Sequence, residues 1–429
     1  MEVLDIHKSI RIDGDIQVPG DKSISHRAVI LGSIANGITR IENFLDGEDC
    51  MRTVEAFRLL GVSITKENNC LEIHGNGKNA LQEPSEPIYF GNSGTTARLM
   101  LGLLAGLSFS TVVYGDKSLS SRPMDRVLKP LKAMGVQSIG RKEAGYLPLA
   151  LRGGDLHGIT YEMPVNSAQV KSALLLAGLG ATGVTKVIER YRTRNHTENM
   201  LKAFGANISV NGKEIEIDSS RSLSATDVFV PGDISSAAFL LSAAAIIPES
   251  SLMIRNVGIN DTRAGFLDVL IQMGSKIEVT NKKTISGEPI GDIKITNAPL
   301  SGIIIEGDLV PRLIDEIPII ALLATQAEGK TIIRDAEELR VKETDRIQAI
   351  VDVLSRLGAN IEATDDGMII EGKTSLNGGE VRSYDDHRIA MMVVVASLIS
   401  EDHVIIDDLS SISISYPGFM NDLQTLVGK

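Results

Sequence analysis

Tryptophan is absent from this chain, aromatic residues make up only 4% of it, and Cys50 and Cys70 are the only two cysteines. Two cysteines cannot make a disulfide framework, which points to a reducing compartment and a cytoplasmic location. Positive charge is also in deficit: 43 Lys and Arg stand against 55 Asp and Glu, a net charge of −12. Such a balance excludes general nucleic-acid affinity, and the scarcity of aromatics removes the stacking platform that single strands need. The longest apolar runs, Ala237–Ile247 and Met391–Ile399, are too short to span a bilayer, so no membrane insertion is expected. The opening residues MEVLDIHKSIRIDG lack an apolar stretch, so no signal peptide is expected either. No C-x-x-C, H-E-x-x-H or EF-hand spacing occurs, so the sequence predicts no metal site.

Against these absences stand 40 glycines and 43% hydrophobic residues in 429, enough for two or more domains with sizeable cores. The organising stretch is Val18–Arg27, VPGDKSISHR. Pro19-Gly20 marks a turn, Ser23 and Ser25 are candidate N-caps, and an apolar run follows from Ala28. Lys22, Ser23 and Arg27 then sit at a helix start, where free N–H groups and the dipole favour a phosphate or carboxylate. A turn and an ordinary capped helix would read the same way. Asp21 precludes a Walker A loop, which needs Gly before the Lys.

The unit recurs. Polar turns followed by small-residue apolar helices begin at Pro19, Gly91, Pro164, Pro231, Leu313 and Ser383, about 70 residues apart. After each of the first five comes a short strand-like run and an amphipathic helix ending in Gly, as in TVEAFRLLGVSI and VLKPLKAMGVQSI. The sixth is cut short at YPGFMNDLQTLVGK. Six α/β units divide into two domains of three, with the break near Arg221–Asp227. The first helix of each unit is apolar on all sides and is predicted to be buried in the domain core.

Several polar turns carry chemistry. Asn92 and Gly94 lie in GNSGTTAR, where glycines permit close backbone approach to a ligand. Arg122 is fixed before a proline, and Ser167, Ala168 and Gln169 open another helix. The densest cluster is RVKETDR, Arg340–Arg346, whose Lys342 and Arg346 share a face if the segment is helical, with Glu343 between them. Asp315 precedes one buried helix, and Asp385-Asp386-His387-Arg388 precedes another. Each alone fits a solvated charge run or a capped helix. Together they suggest one cleft lined by helix N-termini, where cations clamp an anionic substrate and Asp315 and Glu343 serve as general acid–base candidates.

The motifs PGDKSISHR, GNSGTTAR, SRPM, NSAQVKSALL, RVKETDR and YDDHRIAM, in that order and over essentially the full length, resemble those of the 5-enolpyruvylshikimate-3-phosphate synthases. The resemblance implies an α/β (α+β) fold of two domains, each of three βαβαββ repeats around buried helices. Residues 20–225 would form one, and residues 1–19 plus 226–429 the other, with the active site in the cleft between them. It implies transfer of the enolpyruvyl group of phosphoenolpyruvate to the 5-hydroxyl of shikimate 3-phosphate, with release of phosphate, by a monomer that needs no cofactor. Lys22, Ser23, Arg27, Ser167, Ala168, Gln169, Asp315 and Lys342 would bind shikimate 3-phosphate. Lys22, Asn92, Gly94, Arg122, Gln169, Arg346 and Arg388 would hold phosphoenolpyruvate, and glyphosate would compete in that pocket. Asp315, Glu343 and Lys22 would be catalytic, with Asp315 taking the hydroxyl proton and Glu343 moving a proton at the methylene carbon.

Two positions depart from the pattern. SISISYP lacks a lysine that some members carry before the aromatic-Pro pair, and Ala168 replaces a second serine, with Arg194 a candidate substitute. The alternative is a UDP-N-acetylglucosamine enolpyruvyl transferase, which shares the fold and donor. That family has Lys-Asn where this chain has Lys22-Ser23, and a loop Cys where Gly115–Arg126 has none. A non-catalytic anion-binding repeat protein is the rival of another class.

Overall fold

A computed structural model describes residues 1–4 and 11–427. Part of the segment 1–19 (residues 5–10) and the final two residues of the chain lie outside the described residues. The chain forms two compact units: Gly20–Val230 with Thr284–Glu288, and Met1–Pro19 with Pro231–Lys283 and Pro289–Lys429.

The first unit holds helices α1 (Lys22–Ile34), α2 (Glu48–Leu59), α3 (Gly94–Ala105), α4 (Asp125–Ala133), α5 (Ala168–Gly178) and α6 (His196–Ala203). Its three sheets have four strands each. In one, Ile88–Tyr89 runs parallel to Ser110–Tyr114, which pairs antiparallel with Tyr146–Arg152, and Gln137–Arg141 closes the far edge. Helices α1, α3 and α5 are the apolar ones. Every residue of α1 from Ile24 to Ile34 is buried, and each fully buried Leu or Ile side chain contributes about 1.5–3 kcal/mol. α3 and α5 pack backbone to backbone: a Cβ on Gly102 would lie 2.2 Å from the Ala173 carbonyl oxygen, so only glycine fits there. α2, α4 and α6 are amphipathic and bury one face, Val54 and Phe57 in α2 for example.

The second unit repeats the plan with α7 (Ile234–Ile246), α8 (Gly265–Gln272), α9 (Ile317–Thr325), α10 (Arg346–Arg356), α11 (His387–Ser397) and α12 (Phe419–Leu426). Here α7, α9 and α11 are the buried helices. Among the described residues, no helix is long and apolar enough to cross a membrane.

The repeat order is broken by an exchange of strands. Asp13–Ile16, which precedes α1 in sequence, pairs in parallel with Ser251–Gly258 of the second unit. Val228–Phe229, which precedes α7, pairs in parallel with Asn36–Glu42 of the first. That pairing carries the first unit to Val230, where the sequence places its end at 225. In the shortened sixth repeat, Glu2–Leu4 pairs antiparallel with Val404–Ile406 and supplies a strand the repeat lacks.

The consequence for the site is that the inner helices of each unit begin at polar turns. Their N-termini carry the side chains considered next.

Candidate active site

In the first unit, α1 starts earlier than its serines suggest. Asp21 is the N-cap and accepts from the Ile24 N–H at 2.8 Å, which places Ser23 and Ser25 inside the first turns as ordinary helical residues. A carboxylate outcompetes a hydroxyl here because it meets both the free N–H groups and the positive helix end. Lys22 is the first helical residue, and its Nζ lies 2.5 Å from Asp49 Oδ2. Arg27 is buried and fully engaged. Its Nε donates to Thr197 Oγ1 at 2.6 Å, Nη1 to the Ser23 carbonyl at 2.9 Å, and Nη2 to Ser172 Oγ at 2.7 Å. Burial pushes its guanidinium down to about 10, with the nearby charge of half-buried Arg194 in the same direction, so Arg27 remains a cation at neutral pH.

α3 is capped by Ser93, which accepts from Thr96 N–H at 3.2 Å. Arg122 Nη2 donates to Asn92 Oδ1 at 2.5 Å and to Ser118 Oγ at 3.2 Å. Gly94 begins α3 beneath two cations: a Cβ there would lie 2.9 Å from Arg98 Nη1 and 3.4 Å from Arg122 Nη1. Gln169 is held at both ends of its amide, by Arg98 Nη1 at 2.7 Å and Thr95 Oγ1 at 3.0 Å. Ser167 caps α5, and Ala168 is its first residue.

Behind these groups lies a buried chain of hydrogen bonds. His26 Nδ1 meets Thr53 Oγ1 at 2.7 Å, Thr53 meets Thr96 Oγ1 at 2.8 Å, and Thr96 meets Ser93 Oγ at 2.7 Å. It joins α1, α2 and the N-terminus of α3. Burial, with Lys22 and Arg27 nearby, holds the His26 imidazole well below its ordinary range, so the ring is neutral. Lys171 of α5, wholly buried, lies between Glu189 at 3.0 Å and Glu198 at 2.6 Å.

In the second unit the named groups gather on Asp315 and Arg346. Asp315 Oδ1 lies 3.4 Å from both Lys342 Nζ and Arg346 Nη1. Arg346 also donates from Nε to Asp386 Oδ2 at 2.8 Å and from Nη2 to Glu343 Oε2 at 2.7 Å. Burial alone would lower the Arg346 guanidinium, but Asp386, Glu343 and Asp315 outweigh it and raise it above its ordinary value. Arg388 Nη1 donates to the Asp315 carbonyl at 3.0 Å.

The shared helical face expected for Lys342 and Arg346 is not present. Glu337–Val341 is a 3₁₀ turn that Lys342 leaves in extended backbone, and α10 starts afresh at Arg346 behind its cap Asp345. The two cations meet by flanking one carboxylate, Asp315. The Asp345 side chain competes for the backbone N–H of Gln348, at 3.2 Å, and so breaks the helix between them.

Each unit thus brings its own expected residues together: Lys22, Ser23 and Arg27 on α1; Asn92, Gly94 and Arg122 around the start of α3; Ser167, Ala168 and Gln169 at α5; and Asp315, Lys342, Glu343, Arg346 and Arg388 in the second unit. The sequence reading gives Asp49, Arg98 and Glu316 no role and names Asp386 only within its polar turn. Glu316 stands next to Asp315 in LIDEIP, and Asp386 two residues before Arg388 in YDDHRIAM, which is a usable signal. In the SISISYP stretch, Ser410–Ile414 is a 3₁₀ turn followed by buried Tyr416.

The family model described as EPSP synthase (3-phosphoshikimate 1-carboxyvinyltransferase) matches residues 6–423. The 3-phosphoshikimate 1-carboxyvinyltransferase of Oceanobacillus iheyensis is 56% identical over 416 residues, covering 97% of each chain. That of Bacillus pumilus is 52% identical over 98% of this chain and 99% of its own. Among solved structures, an EPSP synthase from Acinetobacter baumannii superposes with a TM-score of 0.89 at 43% identity, covering 99% of this chain and 98% of that one. The enolpyruvyl transferase NikO from Streptomyces tendae shares the fold, with a TM-score of 0.80 at 20% identity over 99% of this chain and 98% of its own.

Proposed function

This chain belongs to the EPSP synthase family, and from that membership we propose that the side chains gathered in its two units divide one reaction between them. The protein transfers the enolpyruvyl group of phosphoenolpyruvate to the 5-hydroxyl of shikimate 3-phosphate, releasing phosphate, in the shikimate pathway.

Lys22, Ser23, Arg27, Ser167, Ala168 and Gln169 bind shikimate 3-phosphate, the helix-starting N–H groups and Lys22 receiving its phosphate. Arg122, Arg346 and Arg388 clamp phosphoenolpyruvate, with Lys22, Asn92, Gly94 and Gln169 completing its pocket. Arg194 lies close enough in charge to depress Arg27, which supports a part for it near the phosphate. Asp315 takes the proton of the 5-hydroxyl as the oxygen attacks C2, and an acid delivers a proton to C3. The resulting tetrahedral adduct then loses phosphate while a proton leaves C3, which restores the double bond. Glu343 exchanges the C3 proton, Lys342 holds the shikimate side, and Lys22 stabilises the charge that develops on the leaving phosphate.

The observation that carries this reading is the setting of Asp315. A carboxylate bracketed by Lys342 and Arg346, each at 3.4 Å, just before the N-cap of α9, is held in place, as a group that takes a proton from a bound substrate must be. Asp315→Asn is therefore expected to lower kcat by roughly 10²–10⁴-fold with smaller changes in both KM values. A kcat within threefold of the parent would remove Asp315 from the role. Glyphosate is taken to compete with phosphoenolpyruvate beside Gly94, where Arg98 and Arg122 offer cations for its anionic groups. The protein is taken to act as a monomer in the cytoplasm. In support of that location, Cys50 and Cys70 both remain thiols.

A further inference from the structure

Glu316 has no part in the scheme above, yet it is a wholly buried carboxylate of the second unit. It stands at the N-cap of α9, next to Asp315, with no exposed surface. Arg263 grips it with two hydrogen bonds, Nη1 to Oε2 at 2.6 Å and Nη2 to Oε1 at 2.9 Å. The Ser235 hydroxyl, near the start of α7, donates to Oε1 as well. Arg388 Nη1 reaches the same oxygen at 3.4 Å and Arg388 Nη2 reaches Ser235 Oγ at 3.3 Å.

These contacts differ in kind from those of Arg346. Arg346 is met by three carboxylates, Asp386, Glu343 and Asp315, so its charge is largely spent within the protein. Arg388 is fixed by a neutral carbonyl, that of Asp315, by a neutral hydroxyl, and by a long contact to a carboxylate already committed to Arg263. A guanidinium so held is oriented without being neutralised, and its charge stays available to an anion. Arg263 is what makes this possible. Without it, the whole negative charge of Glu316 would fall on Arg388. With it, Glu316 is committed to a bidentate pair with Arg263, and burial of that pair is sustainable because each charge is the other's partner.

We infer that Glu316, paired with Arg263, is a positioning residue that orients Arg388 toward phosphoenolpyruvate while leaving its charge unspent. The inference rests on the reading of Arg388 as a phosphoenolpyruvate ligand, and deepens it.

The test is steady-state phosphate release with Glu316→Gln, Arg388→Lys and the double variant, each with a thermal unfolding midpoint. Glu316→Gln should raise KM for phosphoenolpyruvate about tenfold and leave KM for shikimate 3-phosphate within twofold. In the Arg388→Lys background it should add less than a further twofold, because it acts through Arg388. A lowered midpoint with both KM values unchanged would show a purely structural role and overturn the inference. So would full additivity of the two changes. If Arg388→Lys alone leaves KM for phosphoenolpyruvate unchanged, the assignment of Arg388 itself falls, and the inference with it. Should Glu316→Gln fail to fold, Ser235→Ala removes the hydroxyl that both Glu316 and Arg388 contact. That hydroxyl also accepts from Arg263, so the variant loosens the whole Arg263–Glu316–Arg388 contact; it should raise KM for phosphoenolpyruvate about threefold, and no change would again overturn the inference.

Discussion

Arg346 and Asp386 form an ion pair with almost no exposed surface, Nε to Oδ2 at 2.8 Å, in which the N-cap of α11 also fixes the first residue of α10. Asp386 does two things at once. It accepts from the Arg388 N–H at 2.9 Å, which starts α11, and it neutralises Arg346. Asp386→Ala strips Arg346 of its most buried partner but leaves it Glu343 and Asp315. It should therefore lower the free energy of unfolding in urea by less than the roughly 3–5 kcal/mol of a buried charge left with no partner. Asp386→Asn, which can still cap the helix, should cost less. Equal losses would mean that the charge and not the cap matters.

Gly94 tests a different part of the proposal, how the phosphoenolpyruvate pocket assigned to it would tell substrate from inhibitor. A methyl group at Gly94 would come within 2.9 Å of Arg98 Nη1 and 3.4 Å of Arg122 Nη1. Gly94→Ala therefore intrudes on the pocket beside its cations. The inhibition constant for glyphosate is expected to rise more than tenfold, and KM for phosphoenolpyruvate by a smaller factor. Parallel increases in the two would contradict the placement.

The buried imidazole of His26 sets a pH limit on stability. Burial first, then Lys22 and Arg27, hold its pKa well below the ordinary 6.5 in the folded chain. The unfolded chain therefore binds a proton before the folded one does as pH falls. The stabilisation is complete above the unfolded pKa and is lost progressively below it. From pH 7.5 to 5.5 this group should cost about 1.4 kcal/mol of unfolding free energy. His26→Gln should flatten that part of the profile in urea titrations. A profile as steep in the variant as in the parent would mean that other groups account for it.

Much of the fold is legible in the chain, and the illegible parts have physical causes. The buried helices declare themselves because Ala, Leu and Ile occupy all their faces, as in α7. The helix-ending glycines Gly61 and Gly135 adopt φ of +87° and +116°, the conformation their position requires. The strand exchange does not declare itself. Val228–Phe229 is two residues long and carries no alternation, so its partner in Asn36–Glu42 is fixed only by tertiary packing. The same division runs through the site. Lys22, Arg122, Arg346 and Arg388 lie in distinctive turns. Arg263, in NDTRAG, gives no local sign of its role, which arises from contact with a glutamate elsewhere in the chain. Asp21 is masked as a cap by the two serines that follow it, and Lys342 and Arg346 share no helical register because Asp345 caps a new helix between them.

The most direct test of the account is phosphate release from phosphoenolpyruvate by the intact protein, with shikimate 3-phosphate or UDP-N-acetylglucosamine as acceptor, each with and without glyphosate. Release with shikimate 3-phosphate alone, suppressed by glyphosate in competition with phosphoenolpyruvate, is the predicted result. Release with the sugar nucleotide, or with neither acceptor, would contradict it.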